Sequence, residues 1–290
     1  MLRSGRIVYT NDLPVYAAFD ERAIRFPGAL VADVPANLNA MLLAGQLDLS
    51  PISAAAYGEH AGVFALLPDL CIGSRRDVWS VVCVSPVPLA ELGGATIAVT
   101  RESASGRALL RVLLERRYGV RAEFVVSDDP FAEAAAGRPA LLIGDRAIDA
   151  QQTFTPDHVH DLGTEWHAWT DSDMVYAVWA VRRDVLASNL EEVRRAHEAL
   201  CAAREWGEKN FERVLAAAQA VHPRPAGFYA SYYATLNFSF DAPARDGLRR
   251  FFEELHALGA IPSVPTVEPE RFPSPFGGAQ GASGQAVVHR

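Results

Sequence analysis

The chain is poor in cysteine. Cys71, Cys83 and Cys201 are the three in 290 residues, odd in number and widely spaced. That spacing excludes a disulfide framework and a cysteine-ligated zinc motif, and it suits buried, reduced thiols. Basic charge is also short, with 27 Lys and Arg against 35 Asp and Glu and a formal net charge of -8. The basic positions come singly or in pairs, whereas a nucleic-acid footprint needs them clustered, so no nucleic-acid partner is expected. No apolar run approaches the ~18 residues of a membrane span, so no membrane partner is expected either. Met1-Leu2-Arg3-Ser4-Gly5-Arg6 runs straight into a strand-like segment with neither an apolar signal core nor a cleavage site, which leads to the expectation of a cytoplasmic protein.

The common catalytic devices are missing as well. There is no Gly-x-Gly-x-x-Gly after a strand, no phosphate loop, no Gly-x-Ser-x-Gly elbow and no His-Glu-x-x-His, which counts against nucleotide enzymes, serine hydrolases and zinc peptidases. His158 and His160 flank Val159 but have no third ligand nearby in sequence, so they are expected in a solvated loop, and His167, beside Trp166 and near Trp169, is expected to pack. No metal and no cofactor is expected.

What is present is a globular composition, 50% hydrophobic and 21% charged, on a chain close to the ~250–300 residues at which single cores stop growing. Two lobes follow as the expectation. Short β-rich runs alternate with helical stretches, the signature of α/β architecture with mainly parallel sheets. Strands are predicted over 6–10, 30–34, 47–52, 96–100, 123–126 and 140–143. Helices are predicted from 15, over 35–44 with Gly45 as the stop, after Ser103-Ala104-Ser105-Gly106, throughout 189–220 and over 244–258. Two further strand-like runs, 78–84 and 174–181, bracket a block with its own βαβ units and are predicted to be crossovers into and out of a second lobe. The expected division is 1–83 with 182–272 for the first lobe, 84–181 for the second, and a flexible tail over 273–290, rich in Gly, Ala, Ser and Pro. Two lobes joined this way leave a cleft where a ligand sits.

Small polar residues gather at the predicted strand ends. Asn11 follows the first strand, Ser53 the third, and Ser80 lies in the first crossover; Thr100, Ser103 and Ser105 surround a helix start. Free N–H groups at a helix start, aided by the dipole, suit a carboxylate or phosphate. Taken singly, Ser103 is an N-cap and Ser53 and Ser80 are core hydroxyls bonded to backbone; taken together they favour a binding cleft. Arg75 and Arg76 are expected to be a solvated pair.

Several segments carry a resemblance: Arg6-Ile7-Val8-Tyr9-Thr10-Asn11-Asp12-Leu13-Pro14, Leu47-Asp48-Leu49-Ser50-Pro51-Ile52-Ser53, Leu67-Pro68-Asp69-Leu70-Cys71-Ile72, and Val78-Trp79-Ser80-Val81. It continues through the turn at 100–106, Leu141-Leu142-Ile143-Gly144-Asp145, Asp161-Leu162-Gly163-Thr164-Glu165-Trp166, and Val178-Trp179-Ala180-Val181-Arg182-Arg183. In this order they resemble the chorismate dehydratases of the futalosine route to menaquinone. The carboxyl-terminal third is taken as a generic helical return. The resemblance implies a two-lobed α/β fold of the type II periplasmic-binding-protein kind, used as a cytoplasmic enzyme that removes water from chorismate without a cofactor to give 3-[(1-carboxyvinyl)oxy]benzoate. It implies Asn11 and Ser80 as the catalytic positions, with Ser53, Thr100, Ser103, Ser105, Gly106, Gly144 and Asp145 around the substrate. Asp12 and Gly106 depart from the family pattern, so contacts at the helix start are expected to use backbone. The motifs name no side-chain base, and the oligomeric state is left open, a homodimer included. The alternatives are the sister enzyme that makes 1,4-dihydroxy-6-naphthoate, whose Ser-Pro-x-Pro-Asn-Asp motif is absent here, and a non-catalytic solute-binding protein on the same fold.

Overall fold

A computed structural model describes residues 1–272; the tail expected over 273–290 lies outside the described residues. The chain opens with strand β1 (Leu2–Ile7), helix α1 (Leu13–Asp20), β2 (Gly28–Asp33), α2 (Pro35–Leu43), β3 (Leu49–Ser53), α3 (Ala54–His60) and β4 (Phe64–Ser74). It then builds β5 (Val81–Val84), β6 (Thr96–Val99), α4 (Ala104–Val112), β7 (Glu123–Val126), α5 (Pro130–Ala135), β8 (Ala140–Ile143), α6 (Gly144–Thr153), β9 (Val159–Asp161) and α7 (Leu162–Thr170). The return runs through β10 (Met174–Arg182), α8 (Arg183–Ser188), α9 (Leu190–Lys209), α10 (Phe211–Val221), α11 (Phe228–Thr235), β11 (Leu236–Asn237) and α12 (Ala242–Ala257).

These strands form two sheets, ordered β11-β4-β10-β3-β1-β2 and β7-β6-β8-β5-β9. The boundaries expected at 83/84 and 181/182 therefore need correction. Strand β5 pairs with β8 and β9 in the second sheet, while β10 pairs with β3 and β4 in the first. The chain crosses between sheets at residues 75–80 and again at 171–173. Apolar periodicity marks both crossing strands as buried but says nothing about which sheet they join. The expectation of mainly parallel sheets is also adjusted. β1 runs parallel to β2 and β3, and β6 to β7 and β8, but β5 and β10 run antiparallel to their neighbours because each returns the chain across its sheet.

Local chemistry explains the element ends. Pro35 opens α2, and Gly45, at φ +72°, follows its end. Side chains of Ser53, Asp129, Asp161 and Asp241 accept an N–H in the first turn of α3, α5, α7 and α12, each satisfying a donor that the helix leaves free. The long helix expected over 189–220 breaks at Asn210 into α9 and α10. His160 is paired in β9 with Cys83, and its ring lies 3.2 Å from the Val87 carbonyl, so the expected solvated loop at 158–160 is a short turn and an edge strand instead.

The first sheet centres on β10, where Trp179 is fully buried and stacks on Tyr16 of α1 with ring centroids 6.4 Å apart. The Tyr16 hydroxyl donates to the Gly5 carbonyl at 3.1 Å. Helix α9 covers α1 closely enough that Gly207 rests against the Pro14 carbonyl, with no room for a Cβ. In α4, Leu109, Leu110 and Val112 are buried together, as the apolar spacing of that segment requires. The lobes pack directly on each other: Trp166 of α7 meets Phe251 of α12 edge-on at 6.0 Å.

Gly207→Ala tests the contact beneath α1. In an open helix the change gains helix propensity; here the new methyl strikes Pro14, and overpacking of this kind costs about 1–3 kcal/mol. A lower melting temperature by calorimetry is expected, and an unchanged or higher one would show that the helices separate freely.

Candidate active site

Between the sheets lies a cleft of about 620 Å³, counted out to its open mouth. Four chain segments that begin helices converge on it. Asn11 sits in the 3-10 turn Thr10–Asp12 leading into α1, Ser53 caps α3, Ser103 precedes α4, and Gly144 opens α6. Among the described residues none of the side chains lining the cleft is cationic, and Glu102 is the one acid. An anion placed here would be held by N–H groups, hydroxyls and helix dipoles rather than by an ion pair.

Asn11, Ser53, Ser80, Ser103, Ser105, Gly106 and Gly144 all line this cleft. Their hydroxyls are not equally free. Ser53 accepts from Ala56 N–H at 3.1 Å and is an N-cap as well as a wall. Ser105 donates to the Tyr176 carbonyl at 2.8 Å and accepts from Ala55 N–H at 3.2 Å, so it joins the two lobes. Ser103 is buried and, against the reading as a simple cap, makes no capping bond. Asn11 has a buried amide oxygen without a partner. Gly106 leaves no space for a Cβ beside the Ser103 hydroxyl, and Gly144, at φ +59°, has the Tyr9 ring lying on it.

Two expected positions fall elsewhere. Thr100 faces a separate depression with Asp129 and Arg146, where its hydroxyl accepts from Glu102 N–H at 3.2 Å. Asp145 lies behind the cleft wall, accepting from the Thr10 hydroxyl at 2.6 Å and sitting 3.4 Å from His222. Asp145 directly follows the lining residue Gly144, and helix geometry turns neighbouring side chains to different faces; Thr100 lies two residues before Glu102, just past the end of β6.

Ser80 is set by an unusual turn. Trp79 holds φ +59°, a left-handed conformation costing a bulky residue about 1–2 kcal/mol. Ser80 N–H bonds the Val78 carbonyl at 2.7 Å, and the Ser80 hydroxyl makes only a long bond to the same carbonyl, at 3.3 Å. The Trp79 indole stacks on Tyr232 with centroids 6.3 Å apart, and the Tyr232 hydroxyl is buried with no partner of good geometry, lying against Ser80. Tyr233 donates to the Thr10 carbonyl at 2.8 Å. The carboxyl-terminal third is thus part of the site and not a generic return. Tyr9, Glu102 and Tyr176 also line the cleft and were missed by a search for small polar residues. Tyr9 lies two residues beyond β1 and Glu102 between Thr100 and Ser103, so position could have flagged both. Nothing local flags Tyr232.

Tyr9 donates to the Glu102 carboxylate across the cleft; burial, and then that bond, hold the phenol protonated well above its ordinary range. For metal ligation, one group of described residues gathers three candidates, Asp69, His197 and Cys201. The His197 Nε2 atom nearest all of them is already 3.0 Å from the Pro68 carbonyl, where an N–H donor belongs.

With that geometry in place, comparison with known proteins is informative. A family model described as menaquinone biosynthesis matches residues 2–257. The chain belongs to the menaquinone biosynthesis family. A curated relative, the chorismate dehydratase of Thermus thermophilus, is 33% identical over 90% of this chain and 99% of its own length. Among solved structures, the alkanesulfonate-binding protein of Xanthomonas axonopodis pv. citri aligns with TM-score 0.68 at 16% identity, covering 92% of this chain and 96% of that one. A protein of Archaeoglobus fulgidus aligns with TM-score 0.63 at 19% identity over 90% of this chain and 98% of that one. These structures share the fold, so this family member has the two-lobed α/β fold of periplasmic binding proteins. No helix among its described residues is long and apolar enough to cross a membrane.

Asp12, next to Asn11, gives this member of the family a pH signature. It is fully buried, accepts from Ile7 N–H at 2.9 Å, and leaves its second oxygen unpartnered. Burial pushes its carboxyl up to about 8, with Arg6 and the Ile7 N–H pulling the other way. Between the ~3.9 of an unfolded Asp and about 8, the folded chain keeps a proton that the unfolded chain releases, so stability is greatest at the acid end and falls as pH rises. Asp161 and Asp173 are raised by burial too and share the trend. Asp12→Asn is expected to flatten, without abolishing, the decline in melting temperature from pH 4 to about 8; an identical slope in wild type and variant would remove Asp12 as a cause.

Proposed function

We propose that this chain is a chorismate dehydratase, removing water from chorismate to give 3-[(1-carboxyvinyl)oxy]benzoate in menaquinone biosynthesis. The observation that carries the reading is the 33% identity to a chorismate dehydratase along nearly the whole of both chains. The cleft supports it chemically. Chorismate carries two carboxylates, and the N–H groups at the starts of α4 and α6, with the Ser103 hydroxyl, offer places for anions without a cation.

The reaction asks for positioning and charge stabilisation more than for a strong catalyst. Loss of the ring proton beside the enol-ether oxygen gives an anion delocalised through the diene into the ring carboxylate, and departure of the neighbouring hydroxyl then forms the aromatic ring. Aromatisation drives the second step. Asn11, whose amide oxygen lacks a partner, is suited to orient the leaving hydroxyl or the enolpyruvyl group. Ser80, whose hydroxyl is only loosely held, is suited to bond a carboxylate. Among the described wall residues Glu102 is the one carboxylate, and it is engaged by Tyr9, so in this reading a carboxylate of the substrate itself accepts the proton.

Purified protein incubated with chorismate alone, with no added metal or nucleotide, is expected to yield a benzoate-absorbing product lighter by one water in liquid chromatography with mass detection. Asn11→Ala and Ser80→Ala are each expected to lower kcat by about 100-fold, the usual loss when one oriented donor is removed. Chorismate left intact by folded wild-type protein would overturn the reading in favour of binding without turnover, and full activity in Asn11→Ala would remove that residue from the chemistry.

A further inference from the structure

The Asp161-Leu162-Gly163 segment is accounted for by neither the cleft wall nor the reaction. Asp161 ends β9, opposite Val82 of β5, and its carboxylate turns back to the crossover. There it accepts from Trp79 N–H at 2.7 Å and from Val78 N–H at 3.1 Å, while also accepting from Thr164 N–H at 3.0 Å. Two successive N–H groups converging on one carboxylate oxygen make a small concavity suited to an anion. Gly163 completes the fit: the Arg76 carbonyl lies so close to its Cα that a Cβ has no room. On the far side of the turn, Gly144 N–H donates to the Ser80 carbonyl at 2.8 Å, and Gln151 donates to the Trp79 carbonyl at 3.3 Å.

We infer that Asp161, with Gly163 giving it access, is a positioning residue that clamps Val78 and Trp79 in the strained turn and thereby aims the Ser80 hydroxyl into the cleft. The inference rests on the proposed role of Ser80. Asp161 touches no reacting atom; it acts because three donors meet one carboxylate whose place is set by β9, an element of the second lobe. Without that carboxylate the strained turn at Trp79 keeps only the bonds made by Ser80 N–H, Gly144 N–H and Gln151. It would relax toward the ordinary region, rotating the plane that carries Ser80.

The experiment is a double-mutant cycle between Asp161→Asn and Ser80→Ala, with chorismate turnover measured at high enzyme concentration. Asparagine keeps one acceptor and presents an amide to the other N–H. Asp161→Asn alone is expected to lower kcat/KM by about 10- to 100-fold, the penalty of displacing an oriented group by a fraction of its length. In the Ser80→Ala background it is expected to change the rate by less than about twofold, since residues acting through one another are not additive. A general loss of folding would reduce both backgrounds equally, so equal losses overturn the inference, as does full activity in a folded Asp161→Asn. Gly163→Ala, which forces the Arg76 carbonyl away by another route, should show the same dependence on Ser80 and serves if the Asp161 variants do not fold. If wild-type protein leaves chorismate unchanged, the dehydratase reading fails separately. The clamp is then decided by a crystal structure of Asp161→Asn: Trp79 leaving positive φ upholds it, and Trp79 unmoved overturns it.

Discussion

Everything at the site depends on the chain passing twice between two sheets. The crossings at 75–80 and 171–173 join lobes that each have their own sheet, and the cleft exists because neither crossing strand belongs to the sheet it comes from. The first crossing is a strained turn and carries Ser80. The second leads into β10, whose Tyr176 and Ala177 line the opposite wall. Trp166 against Phe251 and Ser105 bonded to Tyr176 and Ala55 hold the lobes close.

On a chain of net charge -8, a cleft that held an anion would need a local source of positive potential. Side-chain cations are absent from the described wall, which leaves helix starts, such as that of α4 at Ser103, to supply oriented N–H groups. Such groups cannot be neutralised or reorganised during a reaction, which suits charge that develops on a substrate and must be met by fixed dipoles. A guanidinium would bind a carboxylate more tightly in substrate and product alike, with no gain in the step between them.

Three acids, Asp12 buried and Asp145 and Asp161 half-buried, hold this arrangement. Asp12 ties the start of α1 to the end of β1, Asp161 gathers three N–H groups, and Asp145 links the Thr10 turn to α6. Asp12 and Asp145 each follow a wall residue and Asp161 bonds one, Val78; Asp12 and Asp161 satisfy backbone donors, and Asp145 a hydroxyl. The turns lining the cleft are thus irregular backbone supported by carboxylates at some cost in stability, a common bargain at functional sites.

Much of this was legible in the amino-acid order. Strands β7 and β8 fall where periodicity places them, the start of α2 at Pro35 and the Gly45 stop follow from proline and glycine chemistry, and Asn11, Ser53, Ser80 and Ser103 were visible as polar residues at strand ends. These are local properties: hydrophobic period, dihedral preference and capping act over a few residues. Which sheet β5 and β10 join, that Thr100 and Asp145 turn away from the cleft, that Ser105 is spent on joining the lobes, and that Tyr232 reaches Ser80 from far along the chain were decided by tertiary structure alone. Those outcomes depend on how whole elements pack, and a contact between residues 80 and 232 leaves no trace in the neighbourhood of either.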